Sequence, residues 1–173
     1  MNTRAMVRAG GATLMSLVSV IGVQGVGASA MASPRVVHAT GTATITDTEF
    51  VDYVSRGQQC IIRVDQVTAY TGDLEGTWES TRPSEIRYFA TCDELFATDG
   101  AGIPSAFSAV GHFVGTDGSE ATLRAVGRTD AAGNYRGIIA AHGEVNGVLQ
   151  ESASFAPGSP PNSTYDGILV IDD

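Results

Sequence analysis

The sequence predicts an all-β domain in which about eight short strands form one up-and-down antiparallel barrel. Three observations support this fold: apolar and polar residues alternate along most segments, tight-turn signals separate the segments, and no useful length of chain shows a helical period. Consecutive tight turns favour the barrel. A β-sandwich of the same strands is the alternative.

The first predicted strand, residues 37–45, has the clearest alternation in the chain. One side is apolar or small, and the other carries His38, three threonines and, just after the strand, Thr46. An apolar face opposite a threonine face is typical of a strand that is buried on one side. We expect a polar connection over residues 47–59 to follow it.

A hairpin is predicted between residues 60 and 92. Its first strand, residues 60–70, is rich in β-branched side chains, and a break in its alternation near Asp65 predicts a bulge. Residues 71–76 indicate a tight turn. The return strand should be interrupted at Pro83, because proline has no N–H to donate to a sheet.

Cys60 and Cys92 are the two cysteines of the chain and are predicted to form a structural disulfide. The loop at Pro83 absorbs the extra residues of the return strand, so the two cysteines can meet across the open end of the hairpin. Closing a loop of about thirty residues should stabilise the fold by roughly 3–4 kcal/mol. Neither cysteine belongs to a C-x-x-C motif or has a histidine at ligand spacing, which argues against a redox or metal role.

The remaining strands are separated by glycine-containing turns. A loop at 99–102 is followed by predicted turns at 116–118, at 130–134 and at Asn146-Gly147. The predicted strands cover residues 107–114, 123–128, 135–143, 148–155 and 166–171, and a proline-rich loop at 157–162 precedes the last of them.

Residues 1–32 have the pattern of a secretory signal peptide, which leaves residues 33–173 as the predicted barrel domain. Arg4 and Arg8 precede an uncharged apolar stretch that ends in two overlapping small-x-small cleavage sites at residues 28–32. The apolar centre is about half the ~20 residues of a membrane-spanning helix. We therefore expect secretion through the general export route and no stable membrane anchor.

The chain is acidic. It has 10 basic and 19 acidic residues and a net charge of −9. Removing the signal peptide takes away two arginines and no acid, so the net charge of the mature domain becomes −11. Such a surface repels nucleic acid, and we expect no nucleic-acid partner. Solubility is the simpler explanation of the acidity.

Small residues dominate the predicted inward face. Small inward side chains either let a barrel close tightly or leave space for a ligand. The small inward residues are Gly41, Ala43, Ala109, Gly111, Ala125, Gly127, Gly137 and Ala141. Aromatic residues near this interior are the candidate ligand-binding residues: Tyr70, Trp78, Tyr88, Phe107 and Phe113.

No catalytic or metal-binding pattern is evident, and we expect neither a cofactor nor a metal ion. The histidines, His38, His112 and His142, fall on separate strands and on the predicted outer face. Glu75 and Glu79 are the candidate acid/base groups if the protein is an enzyme. The serine-nucleophile motif G-x-S-x-G is absent from the sequence.

Residues 70–77, Tyr-Thr-Gly-Asp-Leu-Glu-Gly-Thr, resemble the turn motif of an uncharacterised bacterial family with an allene-oxide-cyclase-like barrel. The run Gly-His-Phe-Val-Gly at 111–115 is similar to that family too, and the resemblance extends over about residues 39–147. It implies an eight-stranded barrel and no established activity. Plant cyclases of this fold steer a fatty-acid epoxide inside an apolar barrel. Their polar site cannot be assigned residue by residue here, so catalysis is not implied.

Three functions are compatible with these patterns. We favour an exported barrel that binds a small apolar ligand without catalysis. A lipid-directed isomerase or cyclase is the second hypothesis, and it requires a carboxyl group that points into the barrel with a raised pKa. The third is an extracellular protein-interaction module that uses a loop such as 157–162. The sequence indicates neither the ligand nor the oligomeric state.

Overall fold

The computed structural model describes residues 34–155 and 162–171. The predicted signal peptide and nearly all of the proline-rich loop lie outside the described residues. The described part contains nine strands and one short helix. In chain order these are β1 (Arg35–Arg56), β2 (Gln59–Gly72), β3 (Gly76–Ser80), β4 (Ser84–Tyr88), α1 (Cys92–Thr98), β5 (Ser105–Gly115), β6 (Glu120–Thr129), β7 (Asn134–Gly143), β8 (Val145–Ser154) and β9 (Asn162–Ile171).

The strands form one closed antiparallel barrel. Strands that are neighbours in the chain pair with each other, except β3 and β4, and β9 closes the circle by pairing with β1. β3 and β4 both lie between β2 and β5, one after the other, so nine strands fill eight positions. The break between them, at residues 81–83, contains Pro83 as predicted. The up-and-down barrel is therefore confirmed, and the sandwich alternative is wrong.

The first hairpin is longer than predicted. β1 continues to Arg56 and pairs with β2 along its whole second half, so the polar connection predicted over 47–59 is wrong. Residues 46–53 pair with β2 alone and are exposed on both faces. Without a buried face there is no apolar alternation to read. The bulge predicted on β2 near Asp65 is found on the partner strand β1 instead. There the register shifts between Ile45 and Asp47 and between Phe50 and Asp52.

The helix α1 was not predicted. The return strand ends at Tyr88, and the chain then forms a helix whose first residue is Cys92. A capping box starts it: the Glu94 N–H donates to Thr91 Oγ1 over 3.3 Å, and the Thr91 N–H donates to Glu94 Oε2 over 2.9 Å. The disulfide is confirmed, and it joins Cys60 on β2 to the start of this helix.

Most predicted turns are confirmed, with one exception. The loop at 99–102 and the turns at 116–118 and 130–134 lie where the glycine signals place them. Asn146 and Gly147, however, belong to β8, and the preceding turn is centred on Glu144. The Asn146 side chain accepts a hydrogen bond from the Gly143 N–H over 3.2 Å and donates one to the Gly143 carbonyl, which closes that turn. The last strand also begins earlier than predicted, at Asn162.

Aromatic rings cover the inward glycines. A Cβ added at any of these glycines would overlap ring atoms, so the missing side chain is what admits the ring. The pairs are Tyr165 over Gly41, Trp78 over Gly111, and Tyr135 over both Gly127 and Gly137. Part of the space predicted from the small residues is therefore filled by rings from neighbouring positions.

The main core fills one end of the barrel, which we call the closed end. Its largest fully buried side chain is Phe113, whose ring meets the Tyr70 ring edge-on at a centroid distance of 5.9 Å. Leu74, in the turn after β2, lies across this end, and its N–H donates to Tyr165 Oη over 2.9 Å. The other buried members include Ala39, Ala121, Leu123, Ile139, Ala141, Val145, Leu149 and Leu169. The opposite end is packed differently.

Candidate functional site

A cavity of about 940 Å³ occupies the end of the barrel opposite the closed end. The α1–β5 connection, residues 99–103, and the β6–β7 turn, residues 130–133, frame its mouth. Volumes of roughly 300–1,000 Å³ are usual for pockets that enclose small organic ligands. The barrel therefore holds one filled end and one end with room for such a molecule.

Most of the cavity wall is apolar. Aliphatic and aromatic side chains from the seven strands β1 to β7, from the α1–β5 connection and from the residue after β8 face the space. They include Ile45, Trp78, Ile86, Tyr88, Ile103, Phe107, Leu123, Ala125 and Phe155. A wall of this kind favours an apolar ligand body, because each square ångström of apolar surface removed from water contributes about 25 cal/mol.

One polar cluster interrupts this wall, and we call it the Glu151 cluster (Glu151, Tyr135 and Ser163). The Tyr135 hydroxyl donates to Glu151 Oε2 over 3.0 Å, and the Ser163 hydroxyl donates to Glu151 Oε1. Both carboxyl oxygens thus accept a hydrogen bond from a neighbouring strand. All three side chains line the cavity.

The register of the barrel explains why this cluster forms. Leu149 on β8 is fully buried, so Glu151, two residues further along, also points inward. Its register partner on β7 is Gly137, which has no side chain. The Tyr135 ring lies over that glycine and brings its hydroxyl to the carboxyl group. Ser163 approaches from β9 on the other side.

Burial sets the acidity of the cluster. It raises the pKa of Glu151, while the hydrogen bonds from Ser163 and Tyr135 act in the opposite direction. The pKa of Tyr135 is raised by burial and by the negative charge of Glu151, and the same two causes raise the pKa of Tyr70. The cavity lining that the structure describes contains no arginine or histidine, so no cation offsets the carboxyl group.

The structure brings together four of the five predicted ligand-binding residues. Tyr70, Trp78, Tyr88 and Phe107 line the cavity. Phe113 lies in the core of the closed end instead, fully buried against Tyr70. The ligand-binding role of these side chains stays a prediction.

The sequence analysis did not identify the carboxyl group of the Glu151 cluster. Glu75 and Glu79 are exposed to solvent, so neither can serve as an acid or base inside the barrel. Glu151 is the acid that points inward. The available signal was a charged residue at an inward-facing position of a strand. The sequence analysis assigned no inward and outward faces to residues 148–155.

The histidines do not form a metal site. Within residues 34–155 and 162–171, no group of three histidine, cysteine or carboxylate side chains is arranged to hold a metal ion. His38 lies 3.4 Å from Asp166, and His112 lies 3.6 Å from Glu120, both on the outer surface. Such exposed pairs contribute little to stability.

The described part of the chain contains no helix with the length and apolar composition needed to cross a membrane. Comparison with known proteins gave no matching family model and no significant match among curated proteins. The resemblance to the bacterial family therefore stays a prediction, and the function has to be argued from the cavity.

Proposed function

We propose that this protein is an exported barrel that binds a small amphipathic molecule without transforming it. The observation that carries the proposal is the cavity of about 940 Å³, which has an apolar wall and one polar cluster. The apolar body of the ligand would lie along the wall, and its polar group would meet the Glu151 cluster. This arrangement, an apolar pocket with a few convergent polar groups, is the usual form of a small-molecule site.

The packing of the barrel supports this role. Protein interiors are normally close-packed, and voids larger than a water molecule are few. Aromatic rings cover several inward glycines, such as Tyr165 over Gly41 at the closed end, so this fold is able to fill its interior. The side chains at the mouth end leave a large space instead. A space of this size forgoes van der Waals contacts, which a ligand would supply.

The disulfide supports the export part of the proposal. Disulfides persist in oxidising compartments and are rare in the cytosol. The Cys60–Cys92 bond joins β2 to α1 next to the cavity mouth. We therefore place the binding function outside the reducing cytoplasm, in agreement with the signal peptide that the sequence predicts.

A pair of adjacent substitutions tests the binding role. Ala125 lines the cavity, whereas Val126, the next residue on β6, is 56% exposed on the outer surface. Ala125→Phe should fill part of the cavity and weaken binding of decanol at least tenfold, and Val126→Phe should leave it unchanged. Trp78 is the chain's one tryptophan and lies on the cavity wall, so its fluorescence reports binding. Decanol binding that is equally tight in both variants would overturn the proposal.

A lipid-directed isomerase or cyclase is the second candidate. The favouring observation is Glu151, a carboxyl group in the cavity whose pKa is raised by burial, as general acid–base catalysis requires. The experiment is to incubate candidate lipids with the protein and measure their masses and isomer composition. Conversion that Glu151→Gln abolishes without loss of binding would favour the enzyme, and unchanged lipids would favour the binding protein.

The interaction-module hypothesis gains no support of this kind, because nearly all of the loop at 157–162 lies outside the described residues. It stays a prediction.

A further inference from the structure

We infer that the cavity selects ligands whose polar end is a protonated amine and rejects ligands that end in a carboxylate. This inference rests on the proposed binding function and names the chemical class of its ligand. It is carried by the charges of the cavity lining and by the hydrogen bonds already made inside the Glu151 cluster.

The first step concerns the hydrogen-bonding capacity of Glu151. An ionised carboxylate has about four acceptor positions on its two oxygens and no donor. Tyr135 and Ser163 occupy one position on each oxygen. The remaining capacity is for donors only. An ammonium group, which has three donors and no acceptor, matches it and also supplies the positive charge that the cluster lacks.

The second step concerns the donors that an anion would need. The hydroxyls of Tyr135 and Ser163 already donate to Glu151. The wall has further hydroxyls and one side-chain amide, and all of these donors are neutral: Tyr70, Thr68, Ser105, Thr129 and Gln66. They can hold an alcohol or a carbonyl group, but they do not offset the charge of a ligand carboxylate. A second anion beside Glu151 would also be repelled by the charge of its carboxylate.

The third step concerns the mouth and the surroundings. Asp99 and Asp130 lie among the residues that frame the cavity, and the whole chain has a net charge of −9. The arginines at 124, 128 and 136 are exposed on the outer face of the barrel. A field of one sign over a cleft raises the local concentration of oppositely charged molecules. Cations are therefore favoured at the entrance as well as inside.

The test compares three probes that share one chain and differ in the end group: decylamine, decanol and decanoate. At pH 7 we expect the protein to bind decylamine at least tenfold more tightly than decanol, and decanoate more weakly than either. Trp78 fluorescence and titration calorimetry would measure the affinities. Because an acidic surface attracts amines without specificity, the binding counted is the part that Ala125→Phe removes.

Glu151→Gln assigns the preference to one carboxyl group. It should weaken decylamine binding by about ten- to a hundredfold, the range expected for losing a hydrogen bond to a charged group. Decanol affinity should stay within about threefold. Glu75→Gln is the matched control, because it removes the same charge from an exposed position, and it should change neither affinity.

The outcomes separate the inference from the proposed function. If decanol or decanoate binds as tightly as decylamine, the inference is overturned and the binding function stands. If none of the three probes binds, the binding function itself fails. The relative affinities of the parent protein for the three probes test the inference even if Glu151→Gln does not fold.

Discussion

At the scale of single residues, Glu151 places an ionisable group in the largely apolar interior of the barrel. A largely buried carboxyl group that lacks a cationic partner is costly to ionise. Two neighbouring hydroxyls satisfy its oxygens, and no arginine or histidine of the described cavity lining neutralises it. An apolar side chain at this position would cost less free energy to bury. A carboxyl group in this environment is consistent with the proposed role of Glu151 in ligand binding.

The raised pKa of Glu151 predicts a pH dependence of stability. Between the ordinary pKa of a carboxyl group and the higher value in the fold, the folded protein holds a proton that the unfolded chain has released. The free energy of unfolding therefore falls as the pH rises through this interval. Glu151→Gln has no such proton, so its stability relative to the parent should increase with pH, by on the order of 1 kcal/mol.

Urea denaturation of the parent and of Glu151→Gln from pH 4 to pH 8 would measure this change. Glu75→Gln, an exposed position, serves as the control for loss of one charge and should track the parent at every pH. A difference between Glu151→Gln and the parent that stays constant, or that shrinks as the pH rises, would contradict the assigned environment of Glu151.

The residue scale also shows what sequence can and cannot predict here. Alternation correctly assigned Ala39 and Ala43 to the inward face of the first strand, because one face of that strand is buried and the other is exposed to solvent. Tyr135 and Glu151 are sixteen positions apart in the chain, and their contact depends on Gly137 lying between them in the register. Such a contact is fixed by strand pairing, which local patterns do not specify.

At the scale of elements, two segments escaped prediction for physical reasons. The outer half of the first hairpin has no buried face, so hydrophobic alternation carries no signal there. The helix α1 has only seven residues, which is two turns and too short for a recognisable period. Its capping box, with threonine at 91 and glutamate at 94, was the usable signal.

The disulfide connects this helix to the site. Cys92 begins α1, and the connection that follows the helix, residues 99–103, frames the cavity mouth. Replacing both Cys60 and Cys92 by serine should lower the free energy of unfolding by about 3–4 kcal/mol. It should also weaken decanol binding, because the segment at the mouth loses its covalent attachment to β2.

Denaturant unfolding with and without dithiothreitol would measure the effect. The reductant should destabilise the parent to the level of the double-serine variant and leave that variant unchanged. A parent protein whose stability and decanol affinity are the same in both conditions would show that the disulfide does not support this end of the barrel.

At the scale of the whole molecule, the chain closes eight strand positions into a barrel in which the strand order follows the sequence. Closure pairs the first strand with the last, so the ends of the meander do not remain as free edges. The turn signals were sufficient to predict this order. The cavity was not predictable, because its size depends on how side chains from all eight positions share the interior. Small residues indicate space, and three aromatic rings then occupy part of it.

Native mass spectrometry of the purified protein tests the central claim most directly. We expect a non-covalently bound small molecule of amphipathic character on the parent and on Val126→Phe. Ala125→Phe should carry less of it, and denaturation should release it. A protein that carries nothing, and that also fails to take up decanol or decylamine added in excess, would contradict the claim that this barrel is a binding protein.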